Sequence, residues 1–232
     1  MTAIAGIFTP HNESIVERML KRMAHRAHGG TYIQTLTKST LGVIPTENQT
    51  PTAHNGVVED RVCAHHYALA AEVNEWPLLE RDALGVVPLY YGRREDGTLC
   101  FASEVKGLLE ASRDIHEFPP GCCYNGKTFQ YYFALSQQAQ LAEAPDRIAA
   151  ELRLRLERAI QMRISSNEIG CYLSGGLDSS IMAVLARPHV KRLWTVAAGV
   201  AGAPDLLYAR EVADFIKCDH HEVIVTREDL LR

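Results

Sequence analysis

The sequence predicts an α+β region made mostly of antiparallel strands, followed by an α/β region built on a parallel sheet. Three observations carry this. Residues 1–135 hold short apolar runs punctuated by Gly42, Pro45, Pro51, Gly97 and Pro119-Pro120-Gly121. Residues 136–143 are polar and rich in Gln and Ala, the texture of a linker. Residues 146–232 alternate strand and helix patterns, which implies parallel strands joined by crossover helices.

Taken in order, Ala3 to Phe8 is an apolar run suited to a buried strand. Asn12, Glu13 and Ser14 offer caps for a helix from Ile15 to Ala24, with Ile15, Met19, Leu20 and Met23 on one face. Short strands are expected between Thr31 and His54, and one longer strand over Cys63 to Val73. Leu89-Tyr90-Tyr91 and Leu99-Cys100-Phe101 flank an Asp-Gly turn and predict a hairpin. Tyr131-Tyr132-Phe133 predicts a further strand. In the second region Asp146 is placed to cap a helix in which Ile148, Leu152, Leu156, Ile160 and Ile164 recur every four residues. After it come strands over Ile169–Leu173, Leu193–Ala198 and His221–Val225, separated by helices over Ser179–Ala186 and Asp205–Ile216.

Composition excludes several classes. A formal net charge of −4, with no Lys/Arg run longer than a pair, argues against nucleic acid as a partner. The 232 residues hold no apolar stretch near the ~18 of a membrane-spanning helix, and no secretory signal pattern. The six cysteines lack CxxC pairing, and two of them, Cys122 and Cys123, are adjacent. Reduced thiols in a cytoplasmic protein are expected.

The chemistry concentrates in Ser174-Gly175-Gly176-Leu177-Asp178-Ser179-Ser180, between a strand and a helix. Two glycines let successive N–H groups converge on one oxyanion, the helix N-terminus adds partial positive charge, and the serine hydroxyls add donors. This is a phosphate cradle without the lysine of a Walker loop. A carboxylate at Asp178 beside polyphosphate calls for a bridging Mg²⁺. His220 and His221 are neighbours on a strand and so face opposite ways, a poor pair for one metal.

The heptad resembles the pyrophosphate-binding loop of the ATP pyrophosphatases. Downstream of it, Gly199, Ala203-Pro204-Asp205-Leu206-Leu207, Glu211-Val212-Ala213-Asp214 and His220-His221-Glu222 are similar in order and spacing to the glutamine-hydrolysing asparagine synthetases. The first region resembles that family's class II glutaminase domain, of N-terminal-nucleophile type, at Arg81–Tyr91, Phe101–Lys106, Phe118–Gly121 and His25-Arg26. The resemblance implies a glutaminase-like domain over 1–135. Over 146–232 it implies part of an adenine-nucleotide alpha-hydrolase-like, ATP-pyrophosphatase domain. It further implies ATP and Mg²⁺ at Ser174, Gly175, Gly176, Asp178, Ser179 and Ser180, with Leu173, Ala198 and Gly199 toward the adenosine. In the family, aspartate is adenylated by ATP and ammonia displaces AMP to give asparagine.

Departures from the family accompany the resemblance. Thr2 stands where the family has its nucleophilic cysteine, and a hydroxyl is a weaker nucleophile than a thiol. The family's arginine-bearing strand is replaced by Leu41-Gly42-Val43-Ile44-Pro45, and the oxyanion pair is reduced to Asn55-Gly56 followed by Val57-Val58-Glu59-Asp60. Glutaminase activity is therefore expected to be absent. The family's later acidic loop and catalytic lysine have no counterpart in these residues. The expected function is ATP-dependent amide formation on aspartate or another carboxylate, with ammonia as nitrogen donor. Completion by a homodimer or by a partner supplying the remaining half is expected. The alternative is a non-catalytic nucleotide-binding pseudoenzyme, or a fragment that assembles with a full-length synthetase.

Overall fold

The computed structural model describes residues 2–46, 56–63, 65–136, 142–164 and 166–229. The chain divides into two units, Met1–Gln138 and Ala139–Arg232.

The first unit stacks helices on a sheet and that sheet on a second one. The six-stranded sheet orders β2 (Tyr32–Thr35), β3 (Thr40–Ile44), β1 (Ala3–Ile7), β8 (Leu99–Ala102), β7 (Tyr90–Arg93) and β9 (Asp114–Glu117). The five-stranded sheet orders β11 (Phe129–Tyr131), β10 (Cys122–Tyr124), β6 (Trp76–Arg81), β5 (His66–Val73) and β4 (Val57–Cys63). β1 explains why its text is apolar without alternation: both its faces are buried. Ala3, Ala5 and Ile7 pack with Val16, Met19 and Leu20 of α1 (Glu13–Arg22) and Leu108 of α2 (Val105–Leu108). Ile4 turns the other way, toward Val58, Ala68, Ala70 and Leu79 of the second sheet.

The second unit is the expected parallel sheet. β12 (Glu168–Tyr172), β13 (Arg192–Gly199) and β14 (Asp219–Ile224) lie in that order, all parallel. The crossovers run through α4 (Leu177–Ala186) and α5 (Pro204–Ile216). Both helices pack on one face, where Ala183, Leu206, Ala209 and Ala213 meet Leu173, Leu193 and Ala197. The opposite face carries Tyr172, 87% exposed, and His221 stacked on Trp194 at 5.5 Å.

Several boundaries differ from the sequence reading. The run from Cys63 to Val73 is two strands, β4 ending at Cys63 and β5 beginning at His66, because the chain reverses between them. The Tyr131–Phe133 strand lies earlier, at Phe129–Tyr131, since Tyr132 and Phe133 donate their N–H groups to the Gly121 carbonyl instead of to a sheet partner. Asn12 is the α1 N-cap residue but makes no side-chain cap bond; its amide bonds Thr9 and Pro10. Asp146 sits inside the first turn of α3 (Pro145–Gln161), after the N-cap Ala144. The apolar stripe of α3 is only partly covered: Ile160 packs on Leu185 and Ala186, whereas Leu152 is 54% exposed. Most of the linker, residues 137–141, lies outside the described residues.

Candidate functional site

The Ser174–Ser180 loop sits at the carboxyl end of β12, where open α/β sheets place their ligands. Gly175 adopts φ +77°, and a Cβ there would fall 2.6 Å from the Ala209 amide nitrogen of α5. That glycine is required by the fold. Gly176 differs. Its φ of −72° suits any residue, and a Cβ would meet only Ser174 Oγ within 4 Å, at 3.3 Å. The space beside Gly176 is open, and Gly176 is the N-cap residue of α4, whose first-turn amides have no side-chain cap.

The serines brace this cradle from inside rather than extending its outward donor set. Ser180 and Ser179 donate to the Gly176 carbonyl at 2.7 and 3.2 Å, while Ser174 N–H donates to Ser179 Oγ at 3.1 Å. The Ser174 and Ser179 hydroxyls bond each other at 2.9 Å, and Gly176 N–H donates to Ser174 Oγ at 3.3 Å. The ligand-facing capacity therefore rests on backbone N–H groups. Asp178 is exposed in the first turn of α4. Among the described residues no group of three or more His, Cys, Asp or Glu could hold a metal by itself. The oxygen chemistry at Asp178 suits Mg²⁺ only together with further oxygen ligands.

Leu173 and Ala198 lie on adjacent strands near their carboxyl ends, with Leu173 N–H donating to the Val196 carbonyl at 2.9 Å. The Leu173 side chain is wholly buried in the core, so it offers a ligand its main chain alone. Ala198 is exposed and Gly199 half-buried. Two arginines of this unit are committed elsewhere, Arg192 at the amino end of β13 beside Glu168. Arg210 clasps Glu222 at 2.7 and 3.0 Å, and Arg192 pairs with Asp219 at 2.6 Å while lying over Trp194.

In the first unit Thr2 is 3% exposed and held at its backbone. Its N–H donates to Asp60 Oδ1 at 3.0 Å, and Arg26 Nε donates to its carbonyl at 3.1 Å. Arg26 also binds Asp60 Oδ2 at 2.6 Å and Glu104 Oε1 at 3.2 Å. Burial pushes the Asp60 carboxyl above the ordinary aspartate value, against the pull of the Arg26 guanidinium. Leu41 to Ile44, in place of an arginine-bearing strand, are buried core residues of β3. Asn55 lies outside the described residues; Gly56 comes next with φ +79°.

The signature-like stretch at Arg81–Tyr91 is structural in detail. Asp82 accepts the N–H groups of Leu84, Val86 and Val87, and Arg81 donates to the carbonyls of Gly85, Val87 and Phe118. Sequence reading passed over Asp60 and Glu104 as partners of Thr2 and Arg26. No local spacing points to them, because they come from separate strands and loops.

These two halves define a class: a glutamine-amidotransferase-type region followed by an asparagine-synthase-type region. Residues 57–149 match the glutamine amidotransferase domain family and residues 151–232 the asparagine synthase family. The chain is similar in sequence to glutamine-hydrolysing asparagine synthetases over part of their length. It is 37% identical over 164 residues to an asparagine synthetase [glutamine-hydrolyzing] 2 of Arabidopsis thaliana, covering 64% of this chain and 28% of that protein. It is 34% identical over 183 residues to asparagine synthetase B of Escherichia coli K12, covering 70% of this chain and 33% of that one. The chain thus spans a third or less of these relatives' length. Among solved structures it resembles a glutamine phosphoribosylpyrophosphate amidotransferase of B. subtilis, with TM-score 0.47, 12% identity, and coverage of 96% of this chain and 81% of that one.

Proposed function

We propose that this chain takes part in ATP-dependent amide formation of the asparagine-synthetase kind, with aspartate or another carboxylate as acceptor and ammonia as nitrogen donor. Residues 1–135 serve as a degenerate glutaminase-like domain and 146–232 as an ATP-pyrophosphatase-type domain of the adenine-nucleotide alpha-hydrolase-like kind. The protein works in the cytoplasm, assembled as a homodimer or with a partner that completes the acceptor side of the cleft.

The observation that carries this reading is the open space at Gly176, the N-cap residue of α4, whose helix N-terminus has no side-chain cap. A β/γ-pyrophosphate seated there meets amide donors and the positive helix end. Asp178 supplies a carboxylate for Mg²⁺, which when bound offsets the phosphate charge. Leu173 contributes main chain, and Ala198 and Gly199 a small-residue surface, to the adenosine. Developing charge on the α-phosphate would be met by fixed amides rather than by Arg210, whose head is already paired with Glu222.

The test is pyrophosphate exchange into ATP over candidate carboxylates, with and without cell extract supplying a partner. Aspartate-stimulated exchange above the no-enzyme control, lost in Asp178→Ala, is expected in the completed assembly. Nucleotide binding without exchange under either condition would remove the catalytic reading and leave the nucleotide-binding pseudoenzyme.

A further inference from the structure

Away from the phosphate cradle, on the helix-covered face of the second unit, a thiol, a hydroxyl and an imidazole form a line. Cys218, at the start of the turn into β14, places Sγ 3.2 Å from Thr195 Oγ1 of β13. Thr195 Oγ1 lies 2.8 Å from His220 Nδ1 of β14. On the far side of the ring His220 Nε2 is buried without a hydrogen-bond partner, and the nearest charge is Glu222 Oε1 at 3.8 Å. Arg210 of α5 holds Glu222 in place. Thr195 is fully buried, so its hydroxyl has a fixed environment, whereas Cys218 is half-buried.

We infer that Cys218 is a nucleophilic thiol, activated by His220 through the Thr195 hydroxyl, and a modification site for small electrophiles. In the resting arrangement the thiol donates to Thr195 Oγ1 and the hydroxyl donates to the neutral Nδ1. As the sulfur attacks, both protons shift one place along the line. The hydroxyl proton arrives on Nδ1, the thiol proton remakes the hydroxyl, and the imidazolium gains Glu222 as counter-charge. Sulfur forms its new bond, the leaving group departs with its electron pair, and His220 returns the proton to solvent. With a low-molecular-weight disulfide the same step breaks the reagent's S–S bond and releases its thiolate.

Burial lowers the His220 pKa and so keeps the ring neutral at rest, while Glu222 opposes that shift; Arg210, His221 and Asp214 are the other charged or titratable groups acting on the ring. The thiol also has the Ala213 carbonyl of α5 as an acceptor at 3.7 Å, a longer contact than that to Thr195 Oγ1, and the Cys171 thiol of β12 interacts with it. Cys171 supplies the internal comparison, because burial pushes its thiol above the ordinary value. The activity proposed for the cradle makes no use of any of these groups.

The experiment is iodoacetamide modification of the full chain, read residue by residue by mass spectrometry from pH 6 to 9. An unassisted thiol has pKa about 8.5 and gains roughly tenfold in rate per pH unit below it. Cys218 is expected to react at least tenfold faster than Cys171 at pH 7, with a rate that rises by less than tenfold per unit between pH 6 and 8. Thr195→Val should return Cys218 to the tenfold-per-unit slope, and Thr195→Ser should keep the shallower one. His220→Asn gives a second route to the same loss should the valine variant not fold. A wild-type profile rising tenfold per unit from pH 6 to 8, or a shallow slope that survives both Thr195→Val and His220→Asn, would overturn the inference.

Discussion

Gly175 and Gly176 are adjacent and alike in sequence, yet they meet opposite constraints. At Gly175 positive φ and the α5 backbone both exclude a side chain. Gly175→Ala is expected to destabilise the second unit by about 1–3 kcal/mol, measured by chemical denaturation. Asp82 is the corresponding fixed point of the first unit. Burial works against its charge, but the N–H groups of Val87, Val86 and Leu84 more than compensate and lower its pKa. A carboxyl depressed in the folded state contributes its full stability above the unfolded value of about 3.9, and that contribution fades as pH falls through the folded value. Asp82→Asn should therefore cost about 1–3 kcal/mol near neutrality, with the gap to wild type closing below about pH 4 in thermal melts. The heptad was legible in the sequence because its seven residues are contiguous and their roles follow from local geometry. The clamp on Thr2 was not: Arg26 reaches Asp60 across 34 positions and Glu104 across 78, so only the folded sheets bring them together.

At the scale of elements, periodicity located the strands and the two crossover helices of the second unit to within two residues, because each crossover repeats the same apolar alternation, while α3 ends at Gln161, short of Ile164. It failed where chain reversal, not apolar content, decides the boundary, as between Cys63 and His66. It also could not show that the α3 stripe would be only partly covered, since coverage depends on what the fold packs against it. The end of α5 carries a residue that periodicity does not flag. Lys217 is the C-cap with φ +52°, a conformation that costs a non-glycine residue about 1–2 kcal/mol. Lys217→Gly is expected to stabilise the second unit by about 1 kcal/mol in denaturant unfolding, after the added chain entropy of glycine is offset. Unchanged or reduced stability would mean that a side-chain interaction of Lys217 outweighs the strain.

For the whole molecule the two halves carry opposite expectations. Thr2 is buried and clamped through its own amide and carbonyl, and Leu41 to Ile44 are buried core residues of β3 with no arginine among them. The purified protein should release no glutamate from glutamine, and Thr2→Cys alone should not restore release, which an end-point glutamate assay would show. The cradle, by contrast, is built and open. Its assigned role requires ATP·Mg²⁺ to seat its phosphates against Gly176, and calorimetric titration of ATP into wild type and Gly176→Val tests this most directly. Because Gly176 has ordinary φ and free space, the valine variant should fold with an unchanged melting temperature in the absence of nucleotide. Wild type should bind with a Mg²⁺-dependent heat and a raised melting temperature, and Gly176→Val should bind no nucleotide at all. Equal affinity in the two proteins would show that the loop is only a turn and contradict the assignment.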